Sequence, residues 1–511
     1  MKRLACPSLA LIVIAVALSA PGDARVAAQN RMTYSVVSPD SGHVALGLAI
    51  RKLNVSGTFM QAPAHPDDET NALFALFTHG MGLRSIDVQN NRGEGGQNEI
   101  GPELFRDIGV LRTSELVAAH RIDGAEQYFT RAIDYGYSFD PEEVINNGDK
   151  RMELNVVPAY SVRVTPPLAV IPAPVAGAAT PVVREIHVAV TNGAKGAAAV
   201  NVALELPAGW RAVPASVAIA FAHEDESLSA RFMVTAPAQV KPGEYTVRAV
   251  ATSTSAGAER FAVGYQDIEY PHIQRRQIIK PAETVLKIVD VKLAPGLTVG
   301  YVNGVGDQVP PAIEQLGAKL AFIDQDELAW GDLSKYNVIV TGVRAYERRA
   351  DLRAYNRRLL EYAEQGGTVI VQYNKFEFNQ SQYGPFPASV SGNRVSDEAV
   401  PVKLLVPTHP VFNYPNTIGP ATWANWTQER GLYFLGEKDP KYIDLVSMND
   451  SFQDNPGEKL GSLVEARVGK GRWIYLGLGL WRQLPAGTEG AYQLLANLLS
   501  VPKAPAGPAA P

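Results

Sequence analysis

The sequence predicts a multidomain α/β chain: a partial, open α/β domain near the N-terminus, a central antiparallel β-sandwich, and a second α/β domain towards the C-terminus. Three observations predict it. A strand-like run, Gly57 to Ala64, leads through a proline into a helix-like run, Thr70 to His79. Between Arg184 and Gly264 apolar and polar residues alternate in short runs, the period of half-buried strands. From about Val285 to Val501 apolar strand-like runs alternate with helical stretches. A chain of 511 residues with 46% apolar and 19% charged residues has room for about three globular domains.

Residues 1–28 come first. Lys2 and Arg3 precede an apolar core from Leu9 to Ala20 and a small-residue end at Val26-Ala-Ala28, the make-up of a secretory signal peptide. The chain is therefore expected to be exported, to the periplasm or the extracellular space. Removing Lys2, Arg3, Arg25 and Asp23 with this segment takes the net charge from −5 to −7, which argues against nucleic acid and anionic membrane as partners. Cys6 is the only cysteine, so the mature chain has no disulfide, no cysteine metal ligand and no cysteine nucleophile. No other apolar run approaches the ~20 residues of a membrane span.

The next domain is expected over residues 50–150. Its most informative feature is Ala64-His-Pro-Asp-Asp-Glu69, at the end of a strand and the start of a helix, the usual site position in open α/β sheets. An imidazole, His65, and a carboxylate three residues on, Asp68, suit Zn²⁺ with a water in an open coordination position. Such a metal lowers the pKa of its water to about 7, and Asp67 could take the proton as a general base. The same hexapeptide also reads as a plain strand–turn–helix junction, with Asp67 or Asp68 capping the helix and His65 packed.

Two further blocks follow. Arg92-Gly-Glu-Gly-Gly-Gln-Asn98 comes after a strand expected at Arg84 to Gln89, and Arg112-Thr-Ser-Glu115 opens a helix running to about Asp123. Over Gly57 to Asn147 the three blocks resemble the PIG-L/LmbE-like (GlcNAc-PI de-N-acetylase family) zinc enzymes, which remove acetyl groups from N-acetylglucosamine-type sugars. The resemblance implies a partial Rossmann-like fold, Zn²⁺ on His65 and Asp68, and Asp67 as the catalytic base. It also implies an N-acetylated sugar or glycoconjugate bound by Arg112, Arg92 and Glu94. The arginine fork suits sugar hydroxyls, and the glycines of 93–96 permit close backbone approach.

A catalytic zinc normally has three protein ligands, and the family takes its third from a later H-x-x-H-like segment. Here the eight histidines are His43, His65, His79, His120, His187, His223, His272 and His409, and no two are three apart. His79 and His120 are expected to pack or face solvent. After Asp149-Lys150 the chain changes character at Val156-Val-Pro-Ala-Tyr160, which reads as an internal deletion of the second half of the domain. Two functions remain open: an exported zinc hydrolase acting on N-acetyl groups, or a non-catalytic exported relic whose later domains bind carbohydrate or protein.

A Pro- and Ala-rich linker, Pro166 to Thr180, opens the domain expected over 166–268. Its strands are Glu185 to Val190, Val200 to Glu205, Ser227 to Val234 and Gly243 to Val250, parted by turns at Asn192-Gly, Pro207-Ala-Gly and Lys241-Pro-Gly. With Leu206-Pro-Ala-Gly-Trp210 they resemble the immunoglobulin-like domains associated with galactosidases and carbohydrate modules. Trp210 is expected in the core, with a sugar-stacking surface as the other reading.

The last domain is expected over 285–501. Its strands are Leu297 to Val302, Leu320 to Ile323, Val338 to Val343, Thr368 to Tyr373 and Trp473 to Gly477, with helices at Leu352 to Gln365 and Glu489 to Leu499. The order, with Gly366-Gly-Thr-Val-Ile-Val-Gln372, resembles class I glutamine-amidotransferase-like folds, ThuA-like proteins included. Their nucleophile follows that strand, where this chain has Tyr373-Asn-Lys375. With neither a cysteine nor a G-x-S-x-G elbow, nucleophilic hydrolysis is not expected there. Tyr373, Asn374, Arg344 and Glu347 form either a degenerate pocket or a solvated loop, and Gly304-Val-Gly-Asp307 is a turn. Residues 502–511 are disordered by composition.

Overall fold

The computed structural model describes residues 42–96, 98, 101, 103–134, 136, 158–174, 183–255 and 257–505. The signal peptide, the junction at 148–156 and the last six residues of the tail lie outside them. The chain divides into two compact units. One is Met1–Arg92, Val110–Ala132 and Ile268–Arg276; the other is Gly93–Gly109, Ile133–Asp267 and Gln277–Pro511.

In the first unit β1 (Thr58–Gln61), β2 (Arg84–Gln89) and β3 (Glu126–Phe129) form a parallel three-stranded sheet in that order. The helix expected over 70–79 is α-helical only for Asn71–Ala75 and continues as a π-helical turn, Leu76–Met81, closed by Gly82 at φ +79°. Phe74, Leu111 and Leu116 are buried, and Phe59 packs edge-on against Phe74 with centroids 5.6 Å apart. The helix expected to open at Arg112 begins earlier and runs Arg106–Asp123. Ile108 and Leu111, three apart, continue its apolar stripe past Gly109.

The second unit contains the sandwich. One sheet runs β4 (Tyr160–Thr165), β6 (Val183–Asn192), β10 (Ser227–Thr235), β8 (Arg211–Val213). The other runs β5 (Leu168–Pro172), the strand Glu283–Val289, β11 (Gly243–Ser253), β7 (Ala198–Glu205), β9 (Ser216–Phe221), with β12 (Arg260–Phe261) on β11. Period-two patterning decides which residues face inward. Phe232 lies opposite Ile186 and Ala230 opposite Val188, all four buried. Each large apolar side chain so buried contributes about 1.5–3 kcal/mol. The sandwich reaches beyond the expected 166–268, taking in β4 before it and Glu283–Val289 after it, and β5 pairs parallel with the latter.

A seven-stranded sheet follows in the same unit: Lys319–Phe322, Thr298–Val302, Val338–Thr341, Thr368–Gln372, Gly471–Leu476, Leu463–Val468, Tyr442–Asp444. Neighbours among the first five are parallel; the last two strands are added antiparallel. Val338–Thr341 and Thr368–Gln372 are buried throughout, as parallel strands covered on both faces must be. One apolar core runs from Val170 and Val289 of the sandwich to Leu494 and Leu495 of the helix Glu489–Ser500.

The expected pair of named α/β folds is corrected by this architecture. The described residues build eight sheets, with strand predominating over helix. Three short parallel strands with the helices Gly42–Leu53, Asn71–Ala75 and Arg106–Asp123 do not make a Rossmann-like domain. The class I glutamine-amidotransferase-like assignment falls too, because the C-terminal sheet is mixed and much of the chain beside it is β. Between Phe376 and Lys459 apolar residues come in runs too short for helices, broken by Gly, Pro and Asn. They fold instead into small antiparallel pairs: Ala388–Val390 with Leu435–Lys438, Arg394–Val395 with Gly431–Leu432, and Lys403–Leu404 with Val446–Asn449. No helix among the described residues is long and apolar enough to cross a membrane.

Candidate functional site

Beyond β1 the chain makes a tight turn through His65-Pro-Asp-Asp68. The Asp68 N–H donates to the His65 carbonyl at 3.1 Å, and the His65 N–H donates back to Asp68 Oδ2 at 3.0 Å. The same carboxylate oxygen is 3.2 Å from His65 Nδ1, and both side chains are about half exposed, at 47% and 49%. Asp67 sits at φ +109°, a conformation that is costly for a residue with a Cβ. Arg112 holds it there: its Nη2 is 2.8 Å from Asp67 Oδ2 and donates to the Pro66 carbonyl at 2.5 Å.

His65 and Asp68 are therefore brought together, and Asp67 and Arg112 form an ion pair. Arg112, expected on sugar hydroxyls, holds the turn from within its helix. The Asp67 carboxylate, expected as a base, faces solvent at 72% exposure beside that guanidinium. The Arg92 guanidinium lies over the Phe129 ring, 5.0 Å from its centroid. Glu94 belongs to the second unit and is buried, accepting the Asp134 N–H at 3.0 Å. A Cβ on Gly109 would come within 2.7 Å of Glu94 Cγ, which explains a glycine inside that helix.

The donor set does not fit zinc. Asp68 Oδ2 is already engaged by the turn, and among the described residues no group of three His, Asp or Glu side chains could hold a metal ion. A two-donor site on a solvent-exposed turn is too weak to order a catalytic ion.

Sequence reasoning missed a different cluster in the same unit. His120, 4% exposed, has Nδ1 at 2.9 Å from both Asp123 carboxylate oxygens and Nε2 at 3.4 Å from Asp87 Oδ2. Burial alone would push this imidazole down; its hydrogen bonds to Asp123 and Asp87, with their charge, outweigh that and raise it to about 9. Asp123 also accepts from Asn71 Nδ2 and the Ala125 N–H. Despite its own burial, His120 and these donors hold it below the usual carboxylate value. Gln89 Nε2 links Asp87 to Glu69, which in turn receives the Asp67 N–H. The i,i+3 spacing of His120 and Asp123 on one helix was the available signal; Asp87, on β2, had none.

In the C-terminal domain Tyr373 and Asn374 are buried rather than set in a solvated loop. The Tyr373 ring lies 4.3 Å from Trp481, while the Asn374 amide receives the Tyr346 N–H and donates to the Gln372 carbonyl. Arg344, at φ +54°, pairs with Glu347 through Nε and Nη2 at 2.6 and 2.8 Å. Asp307 fastens its turn by accepting the Tyr301 hydroxyl and the Val309 and Val343 N–H groups. Trp210 is 7% exposed and packs 5.2 Å from Tyr245, as a core residue does.

Residues 183–254, the segment from β6 to β11, match the family described as the NPCBM-associated, NEW3 domain of alpha-galactosidase. This agrees with the likeness drawn from Leu206 to Trp210. It overturns the PIG-L/LmbE-like identification, since the match falls on the sandwich, outside 57–147, and the N-terminal donors make no zinc site. The deacetylase, zinc and amidotransferase expectations give way to a β-sandwich that matches this alpha-galactosidase-associated domain. No curated protein matches the chain. Among solved structures, WR4, a C. elegans MSP family member, is 13% identical over 25% of this chain and 96% of its own, with a TM-score of 0.15. The beta-galactosidase of Rahnella sp. R3 is 14% identical over 38% of this chain and 30% of its own, TM-score 0.24. That of Bacillus circulans sp. alkalophilus is 10% identical over 40% and 30%, TM-score 0.25. Scores this low fix no shared fold.

Proposed function

We propose that this is an exported, non-catalytic carbohydrate-binding protein, in which the sandwich and the C-terminal α/β domain together form the binding body. One observation carries the reading: six consecutive strands of the sandwich match a domain named for alpha-galactosidase, an enzyme of sugar substrates. Export is supported by the charged, apolar and small-residue succession of Met1 to Ala28. The negative net charge favours a neutral glycan over a polyanion.

Native electrophoresis of the mature chain through gels holding galactomannan, arabinogalactan or xyloglucan tests the proposal. Retardation by at least one of the polysaccharides is expected. Unchanged mobility in all of them, together with no signal on a neutral glycan array, would sink the reading. Incubation with N-acetylglucosamine oligomers, with or without zinc, is expected to release no acetate.

A further inference from the structure

We propose that an open cleft at the C-terminal ends of the neighbouring strands Thr298–Val302 and Lys319–Phe322 binds the terminal, neutral pyranose residue of a glycan. The proposal rests on the carbohydrate reading above and names its site. The cleft holds about 320 Å³ and is lined by Asn303, Phe322, Asp324, Gln325, Arg349 and Asp351. That is the lower end of the range of about 300–1,000 Å³ for small-ligand sites, room for one sugar ring with the remaining chain in solvent. Strand carboxyl ends are also where open α/β sheets place their ligands, because loops from several strands converge there. Asn303 directly follows one strand and Asp324 and Gln325 follow the other, while Arg349 comes from the segment after Val338–Thr341.

A pyranose presents a C–H face and a rim of hydroxyls that donate and accept. Phe322, which lines the cleft and is 55% exposed, supplies an aromatic face. The Asn303 and Gln325 amides each offer a donor and an acceptor, and the Asp324 carboxylate offers acceptors. Asp324 is fixed in place, because Oδ1 receives the Glu327 N–H at 2.8 Å. Charge sorts the ligand class. Arg349 grips Asp351 through Nε and Nη2 at 2.8 and 2.6 Å, so the one guanidinium is already neutralised. Asp324 then leaves the cleft slightly negative, unsuited to a phosphate or carboxylate and compatible with a neutral polyol.

The test uses the mature full chain and saturation-transfer NMR with lactose, melibiose, cellobiose and mannobiose, with the titrated affinity compared between wild type and variants. Phe322→Ala and Gln325→Ala change exposed side chains, and an unshifted melting midpoint shows that each variant is folded. Affinity for the best disaccharide is expected to fall about tenfold or more in Phe322→Ala, a loss of stacking worth about 1.4 kcal/mol. If wild type and both variants bind the sugars and polysaccharides equally, the cleft is the wrong place and the carbohydrate reading survives. If wild type binds none of them, both fall. Tighter binding of glucose 6-phosphate than of glucose would overturn the neutral assignment.

Discussion

Asp87 and His120, far apart in sequence, meet inside the N-terminal unit with imidazole Nε2 3.4 Å from the carboxylate, while Asp123 closes on Nδ1 from the other side. The ring is thereby held as a cation up to about pH 9, against an ordinary value of 6.5. A raised folded-state value means the contribution is complete below 6.5 and is lost as pH climbs through 9. Its size is about 3 kcal/mol as an order of magnitude. Hydrogen exchange in Arg84–Gln89 and Val110–Asp123, corrected for intrinsic rates, is expected to speed up across that window. His120→Gln should be less protected at pH 6 and nearly flat with pH. A wild-type profile equally flat from 6.5 to 9 would refute the cation. At the acid end the sign reverses: Asp123, held low, contributes above its ordinary 3.8 and loses that contribution as pH falls further.

The Arg112–Asp67 pair makes a second prediction. A non-glycine residue at φ +109° carries strain of about 1–3 kcal/mol, sustained here by two bonds from one guanidinium. Arg112→Ala is expected to expose the amides of 65–68 to exchange and lower stability by about 1–2 kcal/mol. Adding Asp67→Gly in that background should recover part of the loss, because glycine accepts positive φ without strain. No recovery in the double variant would show that the strain is not what Arg112 opposes.

Zinc uptake gives a third. Calorimetric titration of the mature chain with Zn²⁺ is expected to show no saturable one-to-one uptake, and His65→Ala to leave the trace unchanged. Stoichiometric uptake abolished by His65→Ala would restore a metal site at the turn.

Gln315 joins the sandwich to the α/β domain: its Oε1 receives the Val170 N–H at 3.0 Å and the Tyr492 hydroxyl at 3.2 Å. Gln315→Ala strands the Val170 N–H, at about 1–3 kcal/mol where water does not reach it, whereas the Tyr492 hydroxyl keeps the Leu484 carbonyl at 3.1 Å as its acceptor. Because Val170, Val289 and Leu494 also share one core, the amides of the sandwich and of the seven-stranded sheet are expected to open in one urea transition, shifted to lower concentration in the variant. Separate transitions for those two sets of amides in the wild type would contradict the shared core.

These contacts mark what was legible in the sequence. Thr368-Val-Ile-Val-Gln372 is an unbroken apolar run, and its total burial follows from that composition. The period-two runs at 185–190 and 227–234 reveal their inward faces in the same way. Local signals failed where the deciding partner is distant. Gly109 weakens a helix start, and only Glu94 across from it explains the glycine. Pro166 and residue 268 look like boundaries, yet the strands Tyr160–Thr165 and Glu283–Val289 beyond them complete the sandwich. The hexapeptide at 64–69 displays ligand types, but no local pattern shows that Asp68 Oδ2 closes the turn or that Arg112, from a later helix, pairs with Asp67. The cleft at Asn303 and Phe322 leaves no motif, since its residues arrive from separate strand ends.

Trp210 separates a structural tryptophan from a sugar platform. Its ring is 7% exposed against Tyr245, and its Nε1–H is buried without a hydrogen-bond acceptor among the described residues. A stranded indole N–H costs about 1–3 kcal/mol, whereas the ring's apolar bulk stabilises. Trp210→Phe removes the donor and keeps most of the bulk, so its stability is expected within about 1 kcal/mol of wild type or above it. Trp210→Ala opens a cavity and should cost about 3–5 kcal/mol by urea unfolding. Retention in polysaccharide gels should be the same for Trp210→Phe as for wild type. A folded Trp210→Phe that no longer binds glycan would move the recognition surface from the strand ends of the α/β domain into the sandwich.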